Sequence, residues 1–242
     1  MAADPHESDA SGGEDRMSAT FRDPPAAVAG GLTLVPAGVL VAVALLLHPL
    51  PSSGGFEESA GQLAETPLWG PVHFAIAAGF VLCLVGGLLV LISGGPMRTW
   101  PNRFAWAALS VGILWFTGVA VLNAWVMHPL ADEVAAGADP MLFEAFNRLL
   151  VGFGWLGNPL FLVGLTMIAA IEVKARPLGF PNWLAWAGLV LALMSWLRGV
   201  GSAFGVPALE AFIMANIPAF LWLAGYGLAI ARSARVAEQE PD

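Results

Sequence analysis

Six long apolar runs, at residues 28–47, 72–92, 104–127, 149–171, 183–204 and 208–231, constrain this chain more than any other feature of it. Each is close to the ~20 residues with which a helix crosses a ~30 Å hydrocarbon core. Inside lipid a backbone must satisfy its own hydrogen bonds, and an α-helix does so within one segment. The expected fold class is therefore all-α, a polytopic integral membrane protein with six transmembrane helices. Composition agrees, since 57% of the 242 residues are hydrophobic and only 12% are charged, beyond what the core of a soluble domain requires. The lipid bilayer is the partner this implies.

The segments outside the spans set an expected orientation. Residues 1–27 carry six acidic side chains among Ala, Gly, Pro and Ser without hydrophobic period, as in a disordered acidic tail. The stretch lacks the basic start and small-residue cleavage site of a secretory signal, so it reads as a retained cytoplasmic tail whose first residue is Met1 or Met17. Arg98 and Arg103, Lys174 and Arg176, and Arg232 and Arg235 fall in alternate connections and in the short tail at 232–242. Glu57, Glu58, Glu65, Asp132, Glu133 and Asp139 fill the others. The excess of basic residues on one side predicts a multi-pass cell-membrane protein with both termini cytoplasmic. A net charge of −8 argues against nucleic acid as a partner. With a single cysteine, Cys83, neither an intrachain disulfide nor a thiolate metal cluster is available.

Internal similarity suggests a repeat. The segment Trp100-Pro101-Asn102-Arg103-Phe104-Ala105-Trp106-Ala107 matches Phe180-Pro181-Asn182-Trp183-Leu184-Ala185-Trp186-Ala187, and the same offset carries His48-Pro49-Leu50 onto His128-Pro129-Leu130. A weaker echo relates Asn158-Pro159-Leu160-Phe161-Leu162 to Asn216-Ile217-Pro218-Ala219-Phe220-Leu221. The six helices are thus expected as three repeated helical hairpins, parallel because a two-span unit re-enters the membrane in its original direction. Trp69, Trp100, Trp106, Trp125 and Trp183 lie near span ends, where an indole gains from the headgroup level. Gly79, Gly86, Gly87, Gly112 and Gly118 lie within spans and allow close helix approach.

Proline disfavours helical geometry at the residue before it and lacks a backbone donor. Each His-Pro pair is therefore expected to end its helix, placing His48 and His128 at the outer ends of spans one and three. His73 opens span two at the same face. One reading is that these are interfacial side chains with their polar tips in water. A second is that they sense pH, and a third that His48, His73 and His128 converge on one metal ion. Three imidazoles with an open position suit Cu or Zn, and two opposed ones suit a b-type haem, for which His48 and His128 form the natural cofactor-binding pair.

Further polar residues gather at the same face. Glu144 and Arg148 are four apart and can pair on a helix. Arg198 and Glu210 lie toward the outer ends of spans five and six, so a vestibule lined by Glu144, Arg148, Arg198 and Glu210 is expected, in a second-shell or substrate-orienting role. Asn123 lies deeper and is expected to bond across helices. The inner half holds almost no ionisable residue within the spans, which disfavours conduction of protons or electrons through the membrane.

No nucleotide-binding, zinc-protease, serine-hydrolase or C-x-x-C motif is present. Three functional classes follow. The first is a histidine-lined metal or haem b site at the extracytoplasmic face, serving redox, metal handling or an oxidase. The second is a small-solute transporter or channel, with Arg148 and Arg198 attracting an anion. The third is an accessory subunit packed against other subunits of a membrane complex.

Overall fold

The computed structural model describes residues 21–48, 56–94 and 99–239, apart from the side chains of Phe56, Pro207, Glu210, Ala211 and Ile213. Its elements are α1 (Pro24–Leu46), α2 (Phe56–Ala64), α3 (Trp69–Ser93), α4 (Trp100–Leu122), α5 (His128–Ala135), α6 (Met141–Ala175), α7 (Asn182–Phe204), α8 (Pro207–Glu210) and α9 (Asn216–Gln239). A π-turn at Asn123–Met127 joins α4 to α5, and a 3₁₀ turn at Ala211–Ala215 leads into α9. Among the described residues there is no strand, and six helical stretches are long and apolar enough to cross a membrane. The chain is a polytopic all-α protein of the membrane class.

Local chemistry explains the main boundaries. At the start of α1 the Asp23 carboxylate accepts from the Ala26 amide at 3.0 Å, ahead of prolines in the first turn, where a missing N–H costs nothing. The amides of Arg22 and Asp23 donate to the Ser93 carbonyl at 2.9 and 3.0 Å, which ties the start of α1 to the end of α3. There Gly94 takes the left-handed conformation (φ 72°) that closes a helix and that a Cβ disfavours.

The six spans form a ring in which α1 packs between α9 and α3, α4 between α3 and α6, and α7 against α6. Backbones touch along the tightest seams. A Cβ on Gly31 would sit 2.4 Å from the Gly227 carbonyl oxygen, and one on Gly227 would sit 2.6 Å from that of Gly31. Close approach of this kind drives helix association in lipid, where burial of apolar surface supplies little. Gly79, Gly86 and Gly112 lie in such seams, as expected.

The hairpin units are not packed alike. α1 lies closely on α3 and α4 on α6, but α7 makes slight contact with α9, whose main neighbour is α1. The two His-Pro sites also differ. α1 ends at Leu46, just before His48, whereas the helix through Trp100–Ala135 continues past His128. The π-turn resets the hydrogen-bond register so that Pro129 falls in the first turn of α5, where its missing donor is tolerated. The expected helix end at His128 is thus corrected. The sixth span begins at Asn216 rather than 208, because α8 and the 3₁₀ turn occupy the residues before it.

An even number of spans puts the start of α1 and the end of α9 at one end of the bundle, here the terminal end. The opposite, histidine end carries His48, His73 and His128. A small cap lies there, with Ala60 of α2 and Ala131 of α5 buried beside Met127, Phe143 and Leu150.

Candidate functional site

Inside the histidine half, a cavity of about 180 Å³ opens between the spans. His48 from the end of α1, His73 from α3, Asn158 from α6, Arg198 from α7 and Asn216 from α9 line its polar side. Phe80, Phe116, Phe161 and Phe220 line its apolar side.

The two imidazoles face one another, Nε2 to Nε2 at 3.0 Å, and the Nδ1 of His73 lies 2.9 Å from the Trp69 carbonyl oxygen. A carbonyl only accepts, so in the neutral ring the His73 proton is on Nδ1, its Nε2 accepts, and His48 donates from Nε2–H. The Trp69 ring completes the cluster, 4.4 Å from His73 and 5.4 Å from His48 between centroids. His73 is buried and His48 partly so.

α7 lies behind both asparagines. The Ser195 hydroxyl lies 3.1 Å from Asn216 Oδ1 and 3.0 Å from the Leu191 carbonyl, which bridges α7 to α9. A Cβ on Gly199 would come 3.1 Å from Asn158 Nδ2, so the missing side chain there makes room for the amide. Trp196 Nε1 donates to Thr166 Oγ1 at 3.1 Å and secures α7 on α6.

The phenylalanines come from four spans and close a ring. Centroid distances are 5.8 Å from Phe80 to Phe116, 5.7 Å from Phe116 to Phe161, 5.5 Å from Phe161 to Phe220 and 5.6 Å from Phe220 back to Phe80. These are the distances at which aromatic pairs attract beyond their buried area. The ring floors the cavity and separates it from the terminal half.

Of the three histidines the structure brings two together. His128 does not line the cavity; its Nδ1 lies 3.4 Å from Asp132 Oδ2 one turn on, at the partly exposed end of the helix. Among the described residues no group of three or more His, Cys, Asp or Glu side chains is placed to hold a metal ion. The expected three-imidazole centre is therefore not assembled, because the continuous helix carries His128 away from His48 and His73.

The expected vestibule also divides. Arg198 lines the cavity, whereas Arg148 pairs with Glu144 on the exposed face of α6. The side chain of Glu210 lies outside those described. Asn123 donates to the Val119 carbonyl of its own helix at 3.0 Å rather than across to another.

Two findings were not anticipated. Asn216 and the phenylalanine ring belong to the site, and the Asn-Pro echo between even spans was the signal for both asparagines, read there only as a repeat. The terminal half also contains a fully buried carboxyl group, Glu172, bonded by the hydroxyl of Tyr226 at 2.9 Å. The inner half was expected to hold almost no buried ionisable residue, and Glu172 is one that it does hold. Glu172 falls one residue beyond the apolar run, and α6 runs on to Ala175 and buries it. Trp106, expected at the headgroups, is likewise fully buried beside Tyr226.

The chain matches no family model, and no curated protein or solved structure shows significant similarity to it. Fold and cavity together define a polytopic helical membrane protein with a polar-roofed, phenylalanine-floored cavity in its histidine half.

Proposed function

We propose that the protein binds a small organic anion in this cavity, at the extracytoplasmic face, as a solute carrier or membrane receptor does. One observation carries the reading: a guanidinium, two carboxamides and two imidazoles from five elements converge over a floor of four phenylalanines. Among the described lining residues Arg198 is the one fixed charge, and it favours a carboxylate as partner over a metal cation. The apolar floor suits a hydrocarbon body. A cavity of about 180 Å³ is of the size of one that holds benzene, roughly 150 Å³. A small monocarboxylate such as benzoate matches both features, and a porphyrin is far larger.

A second reading rests on the His48–His73 separation. Two ring nitrogens 3.0 Å apart could both reach one ion across bonds of about 2.0–2.1 Å, with solvent or ligand completing the set.

Thermal unfolding of the detergent-purified protein separates the readings, because a ligand of the native state raises the midpoint by mass action. Benzoate is expected to raise it, benzyl alcohol and benzylamine to leave it unchanged, and Arg198→Gln to remove the benzoate effect. Absence of a benzoate shift, or an equal shift in Arg198→Gln, overturns the anion reading. A shift with Zn²⁺ or Cu²⁺ that is lost in His48→Ala, or a stoichiometric metal or Soret band in the purified protein, supports the metal-centre reading instead.

A further inference from the structure

Beyond the phenylalanine ring lies a second group of polar atoms. Glu172 near the end of α6 is completely buried, as is Trp106 of α4, and Tyr226 of α9 and Ser110 of α4 are almost so. Tyr226, the only tyrosine of the chain, donates its hydroxyl to Glu172 Oε1 at 2.9 Å. Three buried polar atoms of these residues have no partner of hydrogen-bond geometry: Glu172 Oε2, Trp106 Nε1 and Ser110 Oγ. Aromatic rings close the group, with Tyr226 stacked on Trp222 at 5.2 Å and met edge-on by Phe180 at 5.5 Å.

A carboxylate in such a place is costly unless a cation or several donors compensate its charge. One phenolic hydroxyl bonds it, and the Leu178 amide faces it. Among the described residues the elements around it offer no cation. Tyr226 of α9 meets it directly, and Trp106 of α4 lies against Tyr226; neither is a cation. The described basic residues of this end, Arg22, Arg103, Lys174, Arg176, Arg232 and Arg235, are all exposed. A proton is the one cation that needs no further room here.

We infer that Glu172 and Tyr226 form a proton-binding site in the terminal half of the membrane domain, with the carboxyl group of Glu172 as the exchanging group. In the protonated state the carboxyl group is neutral, with its proton on Oε2, while Oε1 continues to accept from Tyr226. On loss of the proton the oxygens keep only the Tyr226 hydroxyl and the Leu178 amide. Tyr226 stands six residues beyond Phe220 on α9, roughly 9 Å along the axis at ~1.5 Å per residue. The phenylalanine ring therefore separates the proton site from the cavity. The inference rests on Glu172 and its neighbours alone and is independent of what the cavity holds.

Infrared difference spectra of the full chain in lipid, recorded across pH, read the site directly. The wild type is expected to show the carbonyl stretch of a protonated carboxylic acid that disappears as pH rises and shifts in D₂O. The isosteric Glu172→Gln variant is expected to lack it, and Tyr226→Phe to move it because a hydrogen bond to the carboxyl is lost. Absence of the band at every pH, its persistence in Glu172→Gln, or its failure to shift in D₂O overturns the inference. Should Glu172→Gln not fold, dicyclohexylcarbodiimide replaces it. This apolar reagent attacks protonated carboxyl groups, and mass spectrometry of the wild type is expected to map the adduct to Glu172 at low pH and several-fold less at high pH. An equal yield at both, or none, counts against the site.

Discussion

The two ends of the bundle treat polar groups in opposite ways. At the histidine end, the polar side chains from α1, α3, α6, α7 and α9 border a cavity, and the space between them is large enough for a small molecule. At the terminal end, Glu172 and Tyr226 are surrounded by Trp106, Trp222 and Phe180. Four helices, α3, α4, α6 and α9, provide the phenylalanine ring between the two ends. The difference teaches that open space rather than polarity separates a binding cavity from a buried polar contact, and that helix spacing sets the space.

The seam between α4 and α6 shows the spacing change along one interface. A Cβ on Gly164, toward the terminal end, would meet the Ala105 carbonyl oxygen and the Leu109 amide at 2.6 Å each. On Gly118, nearer the histidine end, it would meet only the Phe153 ring, at 3.3 Å, and on Gly154 nothing within 4 Å. The helices are in backbone contact at one end and spread toward the other.

The strongest way to break the comparison is to open the packed end. Trp106→Ala removes a completely buried indole and is expected to destabilise the protein by about 3–5 kcal/mol, the range for aromatic truncation in a core. Thermal unfolding in detergent checks it; a loss below about 1 kcal/mol would show that this end is not close-packed. A middle-sized effect tests the seam. Gly164→Ala is expected to cost about 1–3 kcal/mol by overpacking, while Gly154→Ala is expected to stabilise slightly, by up to about 1 kcal/mol, since alanine favours helix. Equal effects at the two sites would remove the spreading of α4 and α6. The smallest effect is at the surface. Arg148→Ala breaks an exposed pair four residues apart and is expected to cost no more than about 0.5 kcal/mol, with benzoate binding unchanged because Arg148 does not line the cavity.

Much of the architecture was legible in residues read one run at a time. The six apolar runs correspond to the six spans, and the close-approach role of Gly79, Gly86 and Gly112 followed from their placement within them. The candidate site was legible only in part. His48, His73 and Arg198 share the cavity, but His128, identical in tripeptide context to His48, is elsewhere because its helix continues through a π-turn. No local pattern distinguishes the two His-Pro pairs. Phe80, Phe116, Phe161 and Phe220 are separated by up to 140 positions (220 minus 80) and resemble any other apolar residues of their spans.

What the amino-acid order determined alone is that this chain enters a bilayer as six helices, because the free energy of moving about 20 apolar residues from water to hydrocarbon is summed locally along each run. What only the tertiary structure decided is which polar groups come together: His48 with His73, Asn158, Asn216 and Arg198 around one cavity, and Glu172 with Tyr226. Those meetings depend on the rotation and spacing of each helix against its neighbours. Glycine contacts and ring packing between distant segments set both, and neither is written in any single stretch of the chain.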